Sequence, residues 1–304
     1  MAVEQPLLAI IGATASGKSE LALRLARKVG GEILSVDSMQ IYREMDIGTA
    51  KPTEEQQREV RHHLIDVADP NEVFSAARLV ELADAAIVEA KSPLIATGGT
   101  PMYFKALFEG LFEGPGADEN VRERLRAVSG AELHERLKQH DPAAAARIHP
   151  GDNKRLVRAL EVFELTGKPI SSLQREWEQD RPARHHTIWI GLAWDREELN
   201  RRINARVKEM MAAGWLEEVR RLLAKYSTLS KTAAEATGYA ELIEHVSGRG
   251  KLDDAVEQIK IGTRQLARRQ MKWFRRFREV HWLDGREAVE RNVETALTLW
   301  KSGK

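Results

Sequence analysis

Short apolar runs alternate with longer amphipathic stretches over much of the chain. The runs are Leu7–Ile11, Glu32–Val36, Leu64–Val67, Leu94–Thr97, Ile188–Trp194 and Val280–Leu283. Each has the length of a buried strand, and the stretches between them space apolar residues as helices do. This alternation predicts an α/β fold, a parallel sheet core flanked by helices on both faces. In such a sheet, ligands gather beyond the carboxyl ends of the strands. Those ends carry Gly12–Ser19, Asp37-Ser38-Met39-Gln40 and Gly98-Gly99-Thr100, all polar or rich in glycine.

Between Pro115 and about Arg184 the strand pattern stops. Helical patterns such as "DENVRERLRAVSGAELHERLKQ" and "NKRLVRALEVFELTG" replace it, opened by "GPGAD" and closed by "RPARHH". The expectation is a helical insertion domain over 116–184, set into a core made of 1–115 and 185–304. A second helical block runs from Glu197 to about Phe277. No internal repeat or low-complexity run is present.

The first strand candidate leads into Gly12-Ala13-Thr14-Ala15-Ser16-Gly17-Lys18-Ser19, which fits G-x-x-x-x-G-K-[ST] and precedes a helical stretch. Strand, loop and helix in that order are the context a phosphate-binding loop requires, so the core is expected to be P-loop NTPase-like. Backbone amides and the helix N-terminus attract phosphate oxygens. Lys18 adds a point charge, and the Ser19 hydroxyl can ligate Mg²⁺. The loop alone does not name its ligand. A guanine-reading Asn-Lys-x-Asp is absent. Neither Ile33-Leu34-Ser35-Val36-Asp37 nor His63-Leu64-Ile65-Asp66 has the four apolar residues expected before a metal-binding acid of an ATPase.

Composition narrows the classes. The 304 residues carry 47 Lys+Arg against 46 Asp+Glu, so a nucleic-acid surface must be built locally. There is no cysteine, which removes disulfides, iron–sulfur clusters and thiolate zinc sites. The histidine pairs His62-His63 and His185-His186 do not have metal-ligand spacing. The N-terminus lacks a basic signal-peptide region and no apolar run reaches membrane-spanning length, which predicts a cytoplasmic protein without a membrane partner.

Local charge is uneven. Lys260–Arg278 holds eight Lys/Arg in nineteen residues and no acid. On a helix, Arg264, Arg268, Lys272 and Arg275 share one face, a stripe suited to backbone phosphates. Leu266, Gln270, Trp273 and Phe277 fall on another face, expected to point to the core. Lys154, Arg155 and Arg158, with Arg122, Arg124 and Arg126, form smaller basic clusters in the insertion. Arg202 and Arg206 are i, i+4 neighbours able to hold a diphosphate or simply to face solvent. Asp37 reads equally as a proton acceptor, a water-mediated Mg²⁺ ligand or a helix N-cap. Gly98-Gly99-Thr100 reads as a close-approach turn with a hydroxyl, or as a plain turn.

Taken together, "GATASGKS", "DSMQIYREMDIGTAKP", "HHLIDVADP", "GGTPMYFKAL", "KRLVRALEVFELTGKP", "GYAEL" and "TRQLARRQMKWFRR" follow one another as in the tRNA dimethylallyltransferases. The chain resembles that family over nearly its whole length. The resemblance implies transfer of the dimethylallyl group of dimethylallyl diphosphate to N6 of the adenosine just 3′ of the anticodon. The tRNAs concerned read codons beginning with U, and diphosphate leaves. It implies that Gly12–Ser19 hold the diphosphate with Mg²⁺ at Ser19, and that Lys18, Asp37, Thr100 and Arg122 serve catalysis, Asp37 as the base. It further implies tRNA contacts by Asp37, Ser38, Met39, Gln40, Thr100 and Arg122, by Lys154, Arg155, Leu156, Val157 and Arg158, by Gly238 and Tyr239, and by Arg268, Arg269, Gln270, Lys272, Trp273 and Arg275. The partners expected are the tRNA anticodon stem-loop and dimethylallyl diphosphate, bound by a monomer, with the target base flipped out of its stack.

Four positions depart from the family pattern: Ala13 replaces a proline, Lys272 a threonine, and Pro101-Met102 a Gly-Leu pair. None touches Lys18, Ser19 or Asp37. Alternatives are an adenylate isopentenyltransferase, a P-loop small-molecule kinase and a non-catalytic RNA-binding protein. The basic helix and the insertion weigh against the first, and the intact Lys18, Ser19 and Asp37 against the last.

Overall fold

The computed structural model describes residues 6–110, 114–179 and 183–303. They form two compact units, one of 1–108 with 184–304 and one of 109–183. The sequence pattern places a helical insertion at 116–184, and the second compact unit spans 109–183.

The first unit holds a six-stranded parallel sheet: β1 (Leu7–Gly12), β2 (Glu32–Ser35), β3 (His62–His63), β4 (Leu94–Gly98), β5 (Thr187–Ala193) and β6 (Val280–Asp284). Their spatial order is β3-β2-β4-β1-β5-β6. The third strand is displaced from the expected Leu64–Val67. Leu64 and Asp66 have φ of 62° and 57°, a left-handed backbone that cannot continue a ladder, so pairing stops at His63.

Side-chain alternation on β1 divides the core. Leu8 and Ile10 pack with Leu21, Leu25, Leu297 and Trp300 on one face. Ala9 and Ile11 pack with Leu34, Leu79, Phe104 and Phe274 on the other. Each such buried leucine, isoleucine or phenylalanine contributes about 1.5–3 kcal/mol, and both faces need a helical cover. The connection leaving β1 runs to β2, and the one leaving β4 runs to β5 on the opposite side of β1. The carboxyl ends of β1 and β4 therefore flank a topological switch point, where a parallel sheet opens a crevice.

A third apolar cluster gathers Ile41, Tyr42, Trp215, Tyr239 and Ile259. It anchors the irregular stretch 37–51 to the helices Trp215–Lys225 and Leu252–Phe274.

The second unit is helical among its described residues. Its helices include Glu119–Arg126, Gly130–His140 and Asn153–Thr166, with Asp118, Ser129 and Asp152 as N-caps. Leu125, Leu133, Leu156 and Leu160 form its centre.

Candidate active site

The loop after β1 turns through Ala15 (φ 62°) and Gly17 (φ 93°) into the helix Lys18–Val29. A Cβ on Gly12 would lie 2.7 Å from Ser16 Oγ, so the loop's curl requires glycine there. Ser16 Oγ is buried with no partner among the described residues, a hydroxyl available to an anion cradled by the loop. Ser19 is exposed on the first helical turn.

Three side chains hold this loop from outside. Trp194, just beyond β5, donates Nε1–H to Ser16 O at 2.8 Å. Arg202 donates Nε–H to Ala15 O at 2.8 Å and lies 4.3 Å over the Trp194 ring. Gln270 accepts from the Thr14 amide at 2.8 Å. Arg202 is thereby committed to the loop, leaving its neighbour Arg206 as the guanidinium beside the charged groups of the site.

Lys18 is buried and its Nζ lies 3.3 Å from Ala13 O. Burial, then the positive charge of Arg206, lowers its pKa to about 8, against the opposing pull of Asp37. Lys18, Arg206 and Asp37 thus lie within electrostatic reach of one another. Burial likewise pulls the Arg206 guanidinium below its ordinary range. Beside Thr14, Ala15 and Arg206 lies a cavity of about 70 Å³ with a largely apolar wall that includes Ile203, Val207 and Trp215.

Asp37 follows β2. Its Oδ1 accepts from the amides of Met39 (2.9 Å) and Gln40 (3.4 Å), the turn that Asp favours. A Cβ on Gly99 would come within 3.4 Å of Asp37 Oδ2, and one on Gly98 would lie 2.0 Å from Val36 O. The two glycines let the ends of β2 and β4 meet. Thr100 Oγ1 accepts from the Ser38 amide at 3.0 Å and bonds Ser38 Oγ at 3.1 Å. Gln40 is turned inward, its Nε2 donating to Ala50 O at 3.1 Å.

The following loop is held by residues that sequence reasoning did not single out. Glu218, buried, accepts from the amides of Asp46 (3.0 Å) and Ile47 (2.7 Å) and from the Tyr239 hydroxyl (2.6 Å). Lys51 donates to Tyr42 O at 2.8 Å and to Asp66 at 2.6 Å. Gly238, at φ 93°, lies against Trp215, where a Cβ would be 2.0 Å from the ring. Gly238 and Tyr239 are thus buried.

The helix Leu252–Phe274 buries Ile259, Ala267, Gln270 and Phe274. Arg268, Arg269, Lys272 and Arg275 are exposed and Trp273 is half-buried. Arg264, expected in the same stripe, donates to Asn204 Oδ1 at 2.6 Å.

In the second unit, Lys154 and Arg155 are exposed, whereas Leu156 and Val157 lie in the core. Arg122 and Arg158 share a buried carboxylate, Glu161. An acid in the apolar stripe of its helix is the one sequence signal that marks both Glu161 and Glu218.

The model of the IPP transferase family matches residues 40–277. The chain is 46% identical over 286 residues to a tRNA dimethylallyltransferase of Geobacter metallireducens, covering 91% of this chain and 92% of that one. It is 47% identical to one of Geobacter sulfurreducens, covering 91% of each. Among solved structures, a full-length tRNA isopentenylpyrophosphate transferase from Bacillus halodurans superposes with TM-score 0.72 at 34% identity, over 99% of this chain and 98% of that one. A eukaryotic dimethylallyltransferase described as acting on tRNA superposes with TM-score 0.83 at 25% identity, over 98% of this chain and 80% of that one. The family match spans well over half of the residues, and with these identities it establishes that the chain belongs to the IPP transferase family.

Proposed function

We propose that the protein transfers the dimethylallyl group of dimethylallyl diphosphate to N6 of the adenosine 3′ of the anticodon in tRNAs reading codons that begin with U. The observation that carries this reading is the meeting of a phosphate loop with Asp37 and Thr100 at one switch point, in a chain of this family. The allylic C1–O bond breaks, the N6–C1 bond forms, and the amine's proton passes to Asp37. Lys18, the loop amides and Ser16 Oγ receive the charge that grows on the leaving diphosphate. The dimethyl end of the substrate turns toward the apolar cavity beside Thr14 and Ala15.

Magnesium fits this arrangement: the Ser19 hydroxyl, exposed on the first helical turn after the loop, would help to hold it. Among the described residues no group of three or more acidic or histidine side chains is placed to hold a metal ion. The bound ion would supply charge neutralisation for the leaving group.

On the first unit, tRNA meets Asp37–Gln40 and the exposed Arg268, Arg269, Lys272 and Arg275. On the second unit, considered by itself, Lys154, Arg155, Arg158 and Arg122 are the residues offered to tRNA. No described helix is long and apolar enough to cross a membrane. We take the working form to be a cytoplasmic monomer. The test is an unmodified anticodon stem-loop with the target adenosine present or replaced by guanosine. Prenylation of the first alone supports the reading. Prenylation of both, or of neither, contradicts it.

A further inference from the structure

Gln270 joins two segments that the reaction must keep in register. Its Oε1 accepts from the Thr14 amide at 2.8 Å, and its Nε2 donates to Gly99 O at 2.6 Å. A carboxamide has one acceptor end and one donor end, so only this orientation satisfies both partners. The residue is 6% exposed. A Cβ on Gly99 would lie 2.7 Å from Gln270 Nε2 and 3.4 Å from Asp37 Oδ2, which places amide, glycine and acid at one point. Thr14 belongs to the phosphate loop. Gly99 precedes Thr100, whose hydroxyl bonds to the amide of Ser38, next to Asp37. The bridge comes from the helix whose outer side carries Arg268, Arg269 and Lys272.

We infer that Gln270 is a positioning residue for prenyl transfer, setting the spacing between the phosphate loop and the strand ends that carry Asp37 and Thr100. The inference rests on the prenyl-transfer reading above. With both ends of its amide engaged inside the protein, Gln270 is not a tRNA contact. The Thr14 amide already has a neutral acceptor, so diphosphate binding falls to the rest of the loop and Lys18. Reacting atoms must come within roughly 3–3.5 Å, and a misplacement of about 1 Å costs on the order of 100-fold in rate.

Two substitutions of similar volume test this. Gln270→Met keeps the bulk and removes both hydrogen bonds. Gln270→Glu, when ionised, accepts from Thr14 but opposes the Gly99 carbonyl. When protonated, it accepts from Thr14 and donates to Gly99, restoring both bonds. Around it, Asp37 favours the protonated form. Lys18 of the first helix and Arg206 of the helix Arg196–Ala212, both within electrostatic reach of Asp37, favour the ionised one. Single-turnover rates are measured on enzyme saturated with both substrates and divided by the unaltered enzyme's rate at each pH. The expectation is a loss of about 100-fold in Gln270→Met at every pH. In Gln270→Glu the loss shrinks as pH falls. tRNA affinity and its salt dependence stay within two- to threefold of the unaltered enzyme in both. Faster hydrogen exchange at the Thr14 amide in Gln270→Met gives a readout independent of activity. An unaltered rate and unaltered Thr14 protection in Gln270→Met overturn the inference alone, as does a loss confined to tRNA affinity. Absence of transfer by the unaltered enzyme overturns the functional reading instead.

Discussion

Arg122 donates to both carboxylate oxygens of Glu161, at 2.8 and 3.1 Å, while none of the Glu161 side chain is exposed. Arg158 adds a bond at 2.6 Å and the Asp118 amide another at 2.8 Å. Burial pushes the Glu161 pKa up, but the bonds from Arg122, Arg158 and the Asp118 amide outweigh it and hold the pKa below the ordinary 4.5. One acid thus organises two guanidiniums, and Arg158 donates in addition to Pro115 O at 2.9 Å.

Replacing Glu161 with leucine leaves two half-buried cations without their counterion. The expected cost is about 3–5 kcal/mol of stability, read by urea denaturation. The sign with pH follows from the depressed pKa. The contribution is complete above the unfolded-state value and is lost as pH falls through the lower folded value. Denaturation midpoints of the unaltered protein and Glu161→Leu therefore converge in acid. Parallel midpoints down to strong acid would remove the ionised carboxylate from this account.

In the proposed reaction Lys18 holds the diphosphate as a cation, and burial lowers its pKa to about 8. kcat/KM for dimethylallyl diphosphate is expected to fall as pH rises through about 8, because the free enzyme then loses the cation. Lys18→Met removes that limb along with most of the activity. A profile flat to pH 9.5 in the unaltered enzyme would place the cation elsewhere.

Asp37 keeps Oδ2 toward Gly99 while Oδ1 serves the backbone. Asp37→Asn preserves the turn and removes the proposed base. Turnover is expected to drop by roughly 10²–10⁴-fold, with tRNA affinity changed far less. Single-turnover rates equal to those of the unaltered enzyme would take the proton elsewhere.

Arg268 and Tyr239 separate surface from scaffold. Arg268→Ala is expected to weaken tRNA binding and reduce the slope of log K against log salt by about 0.7–0.9. Tyr239→Phe leaves Glu218 with one donor fewer and costs about 1–3 kcal/mol of stability, with the salt slope unchanged. Filter binding across a salt series, with thermal melts, reads both. A reduced slope in Tyr239→Phe would return that residue to the RNA surface.

These pairs show what was legible in the sequence. The phosphate loop and five of the six strands were, because glycine spacing and apolar runs act locally. The position of β3 was not, since nothing in "HHLIDV" announces left-handed backbone at Leu64 and Asp66. Motif resemblance marked the segments around Leu156, Tyr239 and Gln270 but not which side chains face inward. The buried acids and the Trp194–Arg202 brace depend on contacts between distant parts of the chain, as the bond from Arg202 to Ala15 illustrates.

The most direct measurement offers labelled dimethylallyl diphosphate and Mg²⁺ to unmodified tRNA and to AMP side by side. The proposed function predicts label in tRNA, on the adenosine 3′ of the anticodon, and none in AMP. Label in AMP alone, or in neither acceptor, would contradict it.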